Sequence, residues 1–207
     1  PIQVDLATTD GPAKLIGAAI EAYGGLDILV NNVGAVTPRV GGFLSVTDDD
    51  WIATLTINFL AAVRTTRAVV PHMVSKGAGS IVTIASVNAS LPDPLVIDYS
   101  AAKAALLNFC KSLSKELGPH GIRVNTISPG PVSTGLWLGD QGVAATIGRA
   151  NGGDPAAIAK QAAGDAVTGR FTSPQEVADL VLLLASNRVA NITGTDVLID
   201  GGMTPTL

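Results

Sequence analysis

The chain has 207 residues, 47% of them apolar and 14% charged, with a net charge of -4. That balance excludes a disordered chain and argues against a nucleic-acid binder, and the length suits one domain burying roughly 70% of its unfolded surface. One cysteine, Cys110, excludes an internal disulfide, and His72 and His120 stand too far apart for metal-ligand spacing, so no metal site is expected.

Short apolar runs alternate with longer segments of helical period, the pattern of strand-helix-strand units in an α/β fold with a parallel sheet. In chain order, strands are predicted at residues 2–4, 27–30, 80–85, 123–127 and 196–199. "LDILV" and "SIVTIA" are too apolar to alternate, so both are read as central strands buried on two faces. A helix over residues 11–23 stops at Gly24-Gly25, and a second runs from Asp48 to about Ser75 with Gly77 as its stop. Thr47 and Asp50 form a capping box with aspartate in the usual glutamate place. A third helix covers residues 99–117. The last starts at "SPQEV", with Ser173 and Glu176 as its capping box and Pro174 at its first position. Residues 131–172, rich in glycine and alanine, are predicted to be a substrate-side loop or lid. No internal repeat or linker divides the single domain 1–207.

No apolar run reaches the ~18 residues of a membrane helix, and the first residues lack a signal-peptide pattern. The expectation is a cytoplasmic protein without a membrane or nucleic-acid partner. The sequons at Asn88 and Asn191 would matter only in a secreted protein.

The stretch "DYSAAKAAL" places Tyr99 and Lys103 one turn apart on one helix face. A cation beside a phenol favours the phenolate, so the pair is either a proton donor and acceptor or a surface polar pair. Ser86 ends the apolar strand "SIVTIAS". In a parallel sheet, strand ends of this kind face the ligand crevice, where a hydroxyl can donate to a substrate carbonyl oxygen; serine is equally a turn former.

Seven ordered signposts carry a resemblance that spans the chain: "VDL" at 4–6, "NNVG" at 31–34, Asn58 in "INFLAAV", Ser86, "YSAAK" at 99–103, "PGPVST" at 129–134 and "ITGTDVLIDGG" at 192–202. With these the sequence resembles the short-chain dehydrogenase/reductase family, in particular its 3-oxoacyl-reductase-like and secondary-alcohol dehydrogenase members. The resemblance implies a Rossmann-like doubly wound parallel sheet and an NAD(P)-dependent oxidoreductase. Its reaction would move hydride between nicotinamide and a small ketone or secondary alcohol.

By that resemblance Tyr99 is the general acid or base, and Ser86 holds the substrate oxygen. Lys103 lowers the tyrosine pKa and binds the nicotinamide ribose, while Asn58 bends its helix and holds a relay water. Asp5 and Leu6 would lie at the adenine, and Asn31, Val33 and Gly34 at the next strand end, with Val33 crowding the adenosine side where the family usually has alanine. Pro129, Gly130, Val132 and Thr134 would pass the nicotinamide, Val132 offering backbone groups to its carboxamide and Thr134 a hydroxyl. Asn31 with Asn32, and Pro129 with Gly130, also read as plain turn residues. Asn88, Leu95, Val96 and Trp137 border the family's substrate pocket and favour a fairly apolar ketone or alcohol; packing of the lid on the core explains them equally.

The chain contains neither Gly-x-x-x-Gly-x-Gly nor Gly-x-Gly-x-x-Gly, the turns that meet a dinucleotide pyrophosphate. Aligned with the family, it begins at the third strand, so the first two strands, their helices and the residue choosing NAD or NADP fall outside it. The expectations are a fragment of a longer enzyme, a proteolysed one, or a rearranged truncated form. The last is the alternative to an enzyme: a noncatalytic scaffold or assembly subunit. A homodimer or homotetramer is expected through the helices at 48–75 and 99–117 and the carboxyl-terminal strand, with Ala101, Ala102, Ala104 and Ala105 allowing close approach.

Overall fold

Four strands of the computed structural model, which describes residues 1–205, form one parallel sheet in the order β1 (Ile28–Asn31), β2 (Gly79–Ile84), β3 (Ile122–Pro129) and β4 (Asp196–Ile199). Leu29 lies opposite Ile81, Val82 opposite Asn125 and Ile127 opposite Val197. Parallel strands need long crossovers, and helices supply them here. The helices are α1 (Gly11–Tyr23), α2 (Asp48–Leu55), α3 (Ala61–Lys76), α4 (Ile97–Leu117), α5 (Gly135–Leu138), α6 (Val143–Asn151), α7 (Pro155–Gly164) and α8 (Pro174–Ala185).

Both faces of the central strands β2 and β3 are covered. On one, Ile16 of α1, Val69 and Met73 of α3 and Leu106 and Cys110 of α4 pack with Leu29, Ile81, Ile122 and Val124. On the other, Leu184 of α8 packs with Val82 and Ile127, flanked by Val177, Val181, Val197 and Ile199. Burying each large side chain contributes roughly 1.5–3 kcal/mol, so α8 alone secures the second face of β2 and β3. Helices on both faces of a parallel sheet are the doubly wound α/β architecture.

Several expectations are corrected. Residues 2–4 form no strand, because no described strand stands beside β1 to receive them, and unpaired extended chain gains no ladder hydrogen bonds. β1 stands at the edge of the sheet, the edge expected to be open, and one of its faces is open too: Leu29 is buried, but Ile28 and Val30 are 46% and 41% exposed. The helix expected from 48 to 75 is broken between α2 and α3 by a π turn, Thr56–Leu60. Residues 131–172 are not a loop but carry α5, α6 and α7, Asp154 capping the last through the amide of Ala156. Both capping boxes form, Thr47 with Asp50 and Ser173 with Glu176.

Gly121 turns the chain into β3 with φ 73°, and a Cβ there would stand 2.3 Å from the carbonyl oxygen of Gly77. Gly121→Ala is therefore expected to lower unfolding free energy by more than ~2 kcal/mol in urea melts. Gly17, in α1 with open space around it, is the opposite case, and Gly17→Ala should raise stability by ~0.5–1 kcal/mol.

Candidate active site

All four strands run the same way, so the chain leaves each of them at one edge of the sheet. Asn31, Ala85 with Ser86, and Pro129 with Gly130 all stand at that edge. α4 brings Tyr99 and Lys103 to the end of β2. The Lys103 ammonium, 4% exposed, donates to the carbonyl of Ile84 at 2.9 Å and lies 5.6 Å from the centroid of the Tyr99 ring. Ser86 is buried at the same strand end, near enough for its hydroxyl to favour the ionised Tyr99 phenol. Ser86, Tyr99 and Lys103 are thus brought together.

Their electrostatics depart from the expectation. Burial raises the Tyr99 phenol above its ordinary pKa, and the Ser86 hydroxyl opposes that rise. The Lys103 ammonium donates to the Ile84 carbonyl and lies over the Tyr99 ring, 5.6 Å from its centroid. Burial pushes Lys103 itself down to about 8. At neutral pH the pair is a protonated phenol beside a cation, an arrangement fit to donate a proton.

Asn58 sits in the π turn, where the amide of Ala61 donates five residues back to the carbonyl of Thr56. Its buried carboxamide donates to the carbonyls of Ala35 at 2.8 Å and Thr54 at 3.0 Å and accepts from the amide of Ala35 at 3.1 Å. The expected relay water would have to share a side chain whose donors are both engaged. What Asn58 visibly does is seat the loop after β1. A Cβ on Gly34 would stand 2.8 Å from Asn58 Oδ1 and 3.6 Å from Lys103 Nζ, so Gly34, Asn58 and Lys103 meet at one point that only glycine leaves open.

The other expected cofactor residues are more dispersed. Asn31 spends its side-chain N–H donors on the hydroxyls of Thr66 and Thr83, which leaves its side-chain carbonyl and its backbone to a ligand. Val33 is exposed. Asp5 and Leu6 precede α1 in a turn where Asp5 accepts from the amide of Ala7 and Thr8 donates to the Asp5 carbonyl; Arg64 of α3 donates to the carbonyls of Ala7 and Thr8. Gly130 packs on Asp200, where a Cβ would be 3.0 Å from the Asp200 Cα. Val132 pairs with Thr172 in an isolated parallel bridge, and the Thr134 carbonyl accepts from Trp137 and Leu138 as α5 begins.

Of the expected substrate residues, Asn88 accepts from Ser86 Oγ at 3.3 Å through Oδ1 and returns a bond from its own backbone amide at 3.2 Å. Leu95 is half-buried, and its carbonyl accepts from the amide of Arg39. Val96 is buried, a core position rather than an open wall. Trp137 stacks edge-on against Phe171, centroids 5.3 Å apart, which ties α5 to the end of the helical segment. Two hollows, about 370 Å³ around Cys110 and Lys111 and about 630 Å³ at the amino ends of the strands, touch neither Ser86 nor Tyr99.

Sequence reasoning missed Arg39, Asp98 and Thr54. The Asp98 carboxylate accepts from Arg39 Nη2 at 2.5 Å, from Arg39 Nε at 3.0 Å and from Thr54 Oγ1 at 2.7 Å. Burial works against this carboxylate, but the Arg39 guanidinium and the Thr54 hydroxyl hold it below its ordinary pKa. A signal existed: Arg39 is the lone cation between Lys14 and Arg64 and is followed by the acidic run 48–50. Among the described residues no group of three His, Cys, Asp or Glu side chains could hold a metal ion.

The fold and this edge define a class, and comparison with known proteins agrees. Residues 1–204 match the family model described as enoyl-(acyl carrier protein) reductase. The chain is 34% identical over 196 residues to human dehydrogenase/reductase SDR family member 4, with 91% of this chain and 63% of that protein covered. It is 37% identical over 205 residues to the oxidoreductase UcpA of Escherichia coli K12, 98% of this chain and 74% of that protein. The solved structure of L-sorbose reductase from Gluconobacter frateurii, complexed with NADPH and L-sorbose, superposes with a TM-score of 0.90 at 35% identity, covering all of this chain and 77% of that one. The chain belongs to the short-chain dehydrogenase/reductase family. It spans less than two thirds of the human relative's length.

The buried Lys103 has a pH signature. Its folded pKa, about 8, is below that of an unfolded lysine, so below pH 8 its full desolvation penalty is present. Between pH 8 and ~10.5 the unfolded chain binds the extra proton, so stability rises with pH by up to about 3 kcal/mol from this group. The expected result is a melting temperature that climbs from pH 8 to 10 in the wild type relative to Lys103→Met; parallel curves would remove the burial penalty assigned to Lys103.

Proposed function

We propose that this chain carries the catalytic machinery of an NAD(P)-dependent oxidoreductase acting on a small, fairly apolar ketone or the matching secondary alcohol. The supporting observation is the meeting of the Ser86 hydroxyl, the Tyr99 phenol and a buried Lys103 at the carboxyl edge of the sheet.

The Lys103 ammonium has three N–H donors and one protein acceptor, Ile84, so the others suit the hydroxyls of a ribose; Gly34 beside it keeps the approach clear. These residues fit the nicotinamide-ribose end of a dinucleotide, with Gly130, Val132 and Thr134 on the neighbouring strand end. When bound, the nicotinamide supplies or accepts the hydride. In reduction the carbonyl carbon gains that hydride, its oxygen takes the proton of the Tyr99 phenol, and the Ser86 hydroxyl donates a hydrogen bond to the same oxygen. Two donors aimed at an oxygen that gains charge stabilise the transition state more than the ketone. The Tyr99 phenolate left behind lies beside the Lys103 cation. Oxidation is the reverse, with the phenolate as base.

Leu95, Trp137 and the helices α5 to α7 support an apolar substrate and a covering lid. Exposed Ala101 and Ala104 on α4 support a homo-oligomer through that helix, whereas Ala102 is fully buried in the chain's own core. A cytoplasmic setting is the simplest for one buried, free cysteine, and among the described residues no helix is long and apolar enough to cross a membrane.

The test begins with intact mass and fluorescence titration of NADPH and NADH into the same sample. Cofactor-dependent reduction of aliphatic and aryl methyl ketones, with kcat/KM at least ~10-fold above that for L-sorbose, is expected. A full-mass 20.9 kDa protein that binds neither cofactor would leave the scaffold reading. Tyr99→Phe should lower kcat by ~10³-fold or more while cofactor affinity stays within about twofold; substantial turnover in that variant would take Tyr99 out of the proton-transfer role.

A further inference from the structure

Arg39 ties together four pieces of chain around the proposed site. Its amide donates to the carbonyl of Leu95 at 2.6 Å; Nε and Nη2 donate to Asp98 Oδ2; Nη1 reaches Asp50 Oδ1 at 2.8 Å. Thr54 of α2 adds its hydroxyl to the same Asp98 oxygen. Asp98 lies in the first turn of α4, its side chain 2% exposed, and its other oxygen accepts from the amide of Tyr99 at 3.0 Å. Arg39 is in the loop that carries Gly34 and Ala35, and Ala35 is already pinned by Asn58. One end of the ion pair is therefore joined to the wall of the proposed cofactor site, and the other to the residue that holds the proposed proton donor.

Stability alone does not account for such a pair. A buried ion pair is commonly no more stabilising than well-packed apolar side chains of similar volume, which could staple the loop to α4 equally well. A carboxylate bound by a guanidinium fork, a hydroxyl and a backbone amide has what an apolar staple lacks: fixed distance and orientation. Removing the guanidinium leaves a buried carboxylate in the first turn of α4, which must then take up a proton or water and loosens the turn that carries Tyr99. A displacement of ~1 Å at a reacting group is enough to cost ~10²-fold in rate.

We propose that Arg39 and Asp98 are positioning residues, an ion pair that sets the Tyr99 phenol against Ser86, Lys103 and the Gly34 loop. This rests on the oxidoreductase reading for its catalytic consequence, but not for its structural one. The groups that face the phenol are the Ser86 hydroxyl from the end of β2 and the Lys103 ammonium from α4 itself.

The protein has two tyrosines, and Tyr23 is 82% exposed at the end of α1, so Tyr23→Phe leaves Tyr99 as the one phenol to follow by its ultraviolet ionisation. In that background the isosteric Asp98→Asn and the larger change Arg39→Met are each expected to move the ionisation midpoint of Tyr99 down toward that of free tyrosine, as the ring gains water. Both should lower kcat by ~10- to 100-fold with substrate KM changed less than about threefold, and Arg39→Lys should restore part of the rate. Unchanged phenol ionisation together with an unchanged kcat in Asp98→Asn would overturn the proposal, whatever happens to melting temperature, as would a change confined to KM. If the wild type shows no nicotinamide-dependent turnover, the oxidoreductase reading fails by itself. The phenol titration, which needs neither cofactor nor substrate, then decides the positioning role: a lowered midpoint supports it and an unmoved one overturns it.

Discussion

A parallel strand buried on both faces has to be covered from both sides, and β2 imposes that constraint on the whole chain. Ile81 must find α1, α3 and α4, while Val82 must find α8. Each neighbouring strand then has to return in the same direction through a helix, and every strand ends at the same edge of the sheet. Ser86 at the end of β2, the Gly34 loop after β1 and the Pro129-Gly130 turn after β3 share that edge because of this covering, without any direct attraction among them.

The chemistry of the edge is a balance between burial and partners. Tyr99 and Lys103 share an environment poor in water, which drives the phenol toward its neutral form and weakens the ammonium's hold on its proton. A carbonyl from β2 and the face of the tyrosine ring are what the ammonium has in compensation. Asp98, one residue before Tyr99, is treated oppositely: its carboxylate, also buried, is bound by Arg39 and Thr54 and stays ionised. The same helix turn thus carries a carboxylate kept charged and a phenol kept neutral, the state that the proposed proton donor needs.

Much of this was legible along the chain, for local reasons. Capping boxes at Thr47 and Ser173, glycine stops at Gly24 and Gly77, and the apolar run of β2 rest on interactions within a few residues, so the boundaries they mark are near those observed. Ser86, Tyr99 and Lys103 were found because two of them share a helix face and the third ends an apolar strand. The bend at Asn58 was expected only through the family resemblance, since it depends on a carboxamide reaching the backbone of Ala35, 23 residues away. Arg39 and Asp98 escaped notice for the same reason, being 59 residues apart. The apolar character of β1 misled: it suits a strand covered on both faces, while Ile28 and Val30 here share a face that is open.

The sequence by itself determined the four strands of the sheet and the helices α1, α4 and α8, that the sheet is parallel, and which residue types meet at the proposed proton-transfer site, because periodicity, capping and i,i+4 spacing act over one or two turns of chain. Only the tertiary structure decided that Lys103 is buried against β2 and holds its proton less tightly, that Asn58 holds a loop, and that Arg39 anchors the turn carrying the phenol. Those outcomes depend on desolvation and on hydrogen bonds between groups far apart in the chain, and neither exists until the helices close over the sheet.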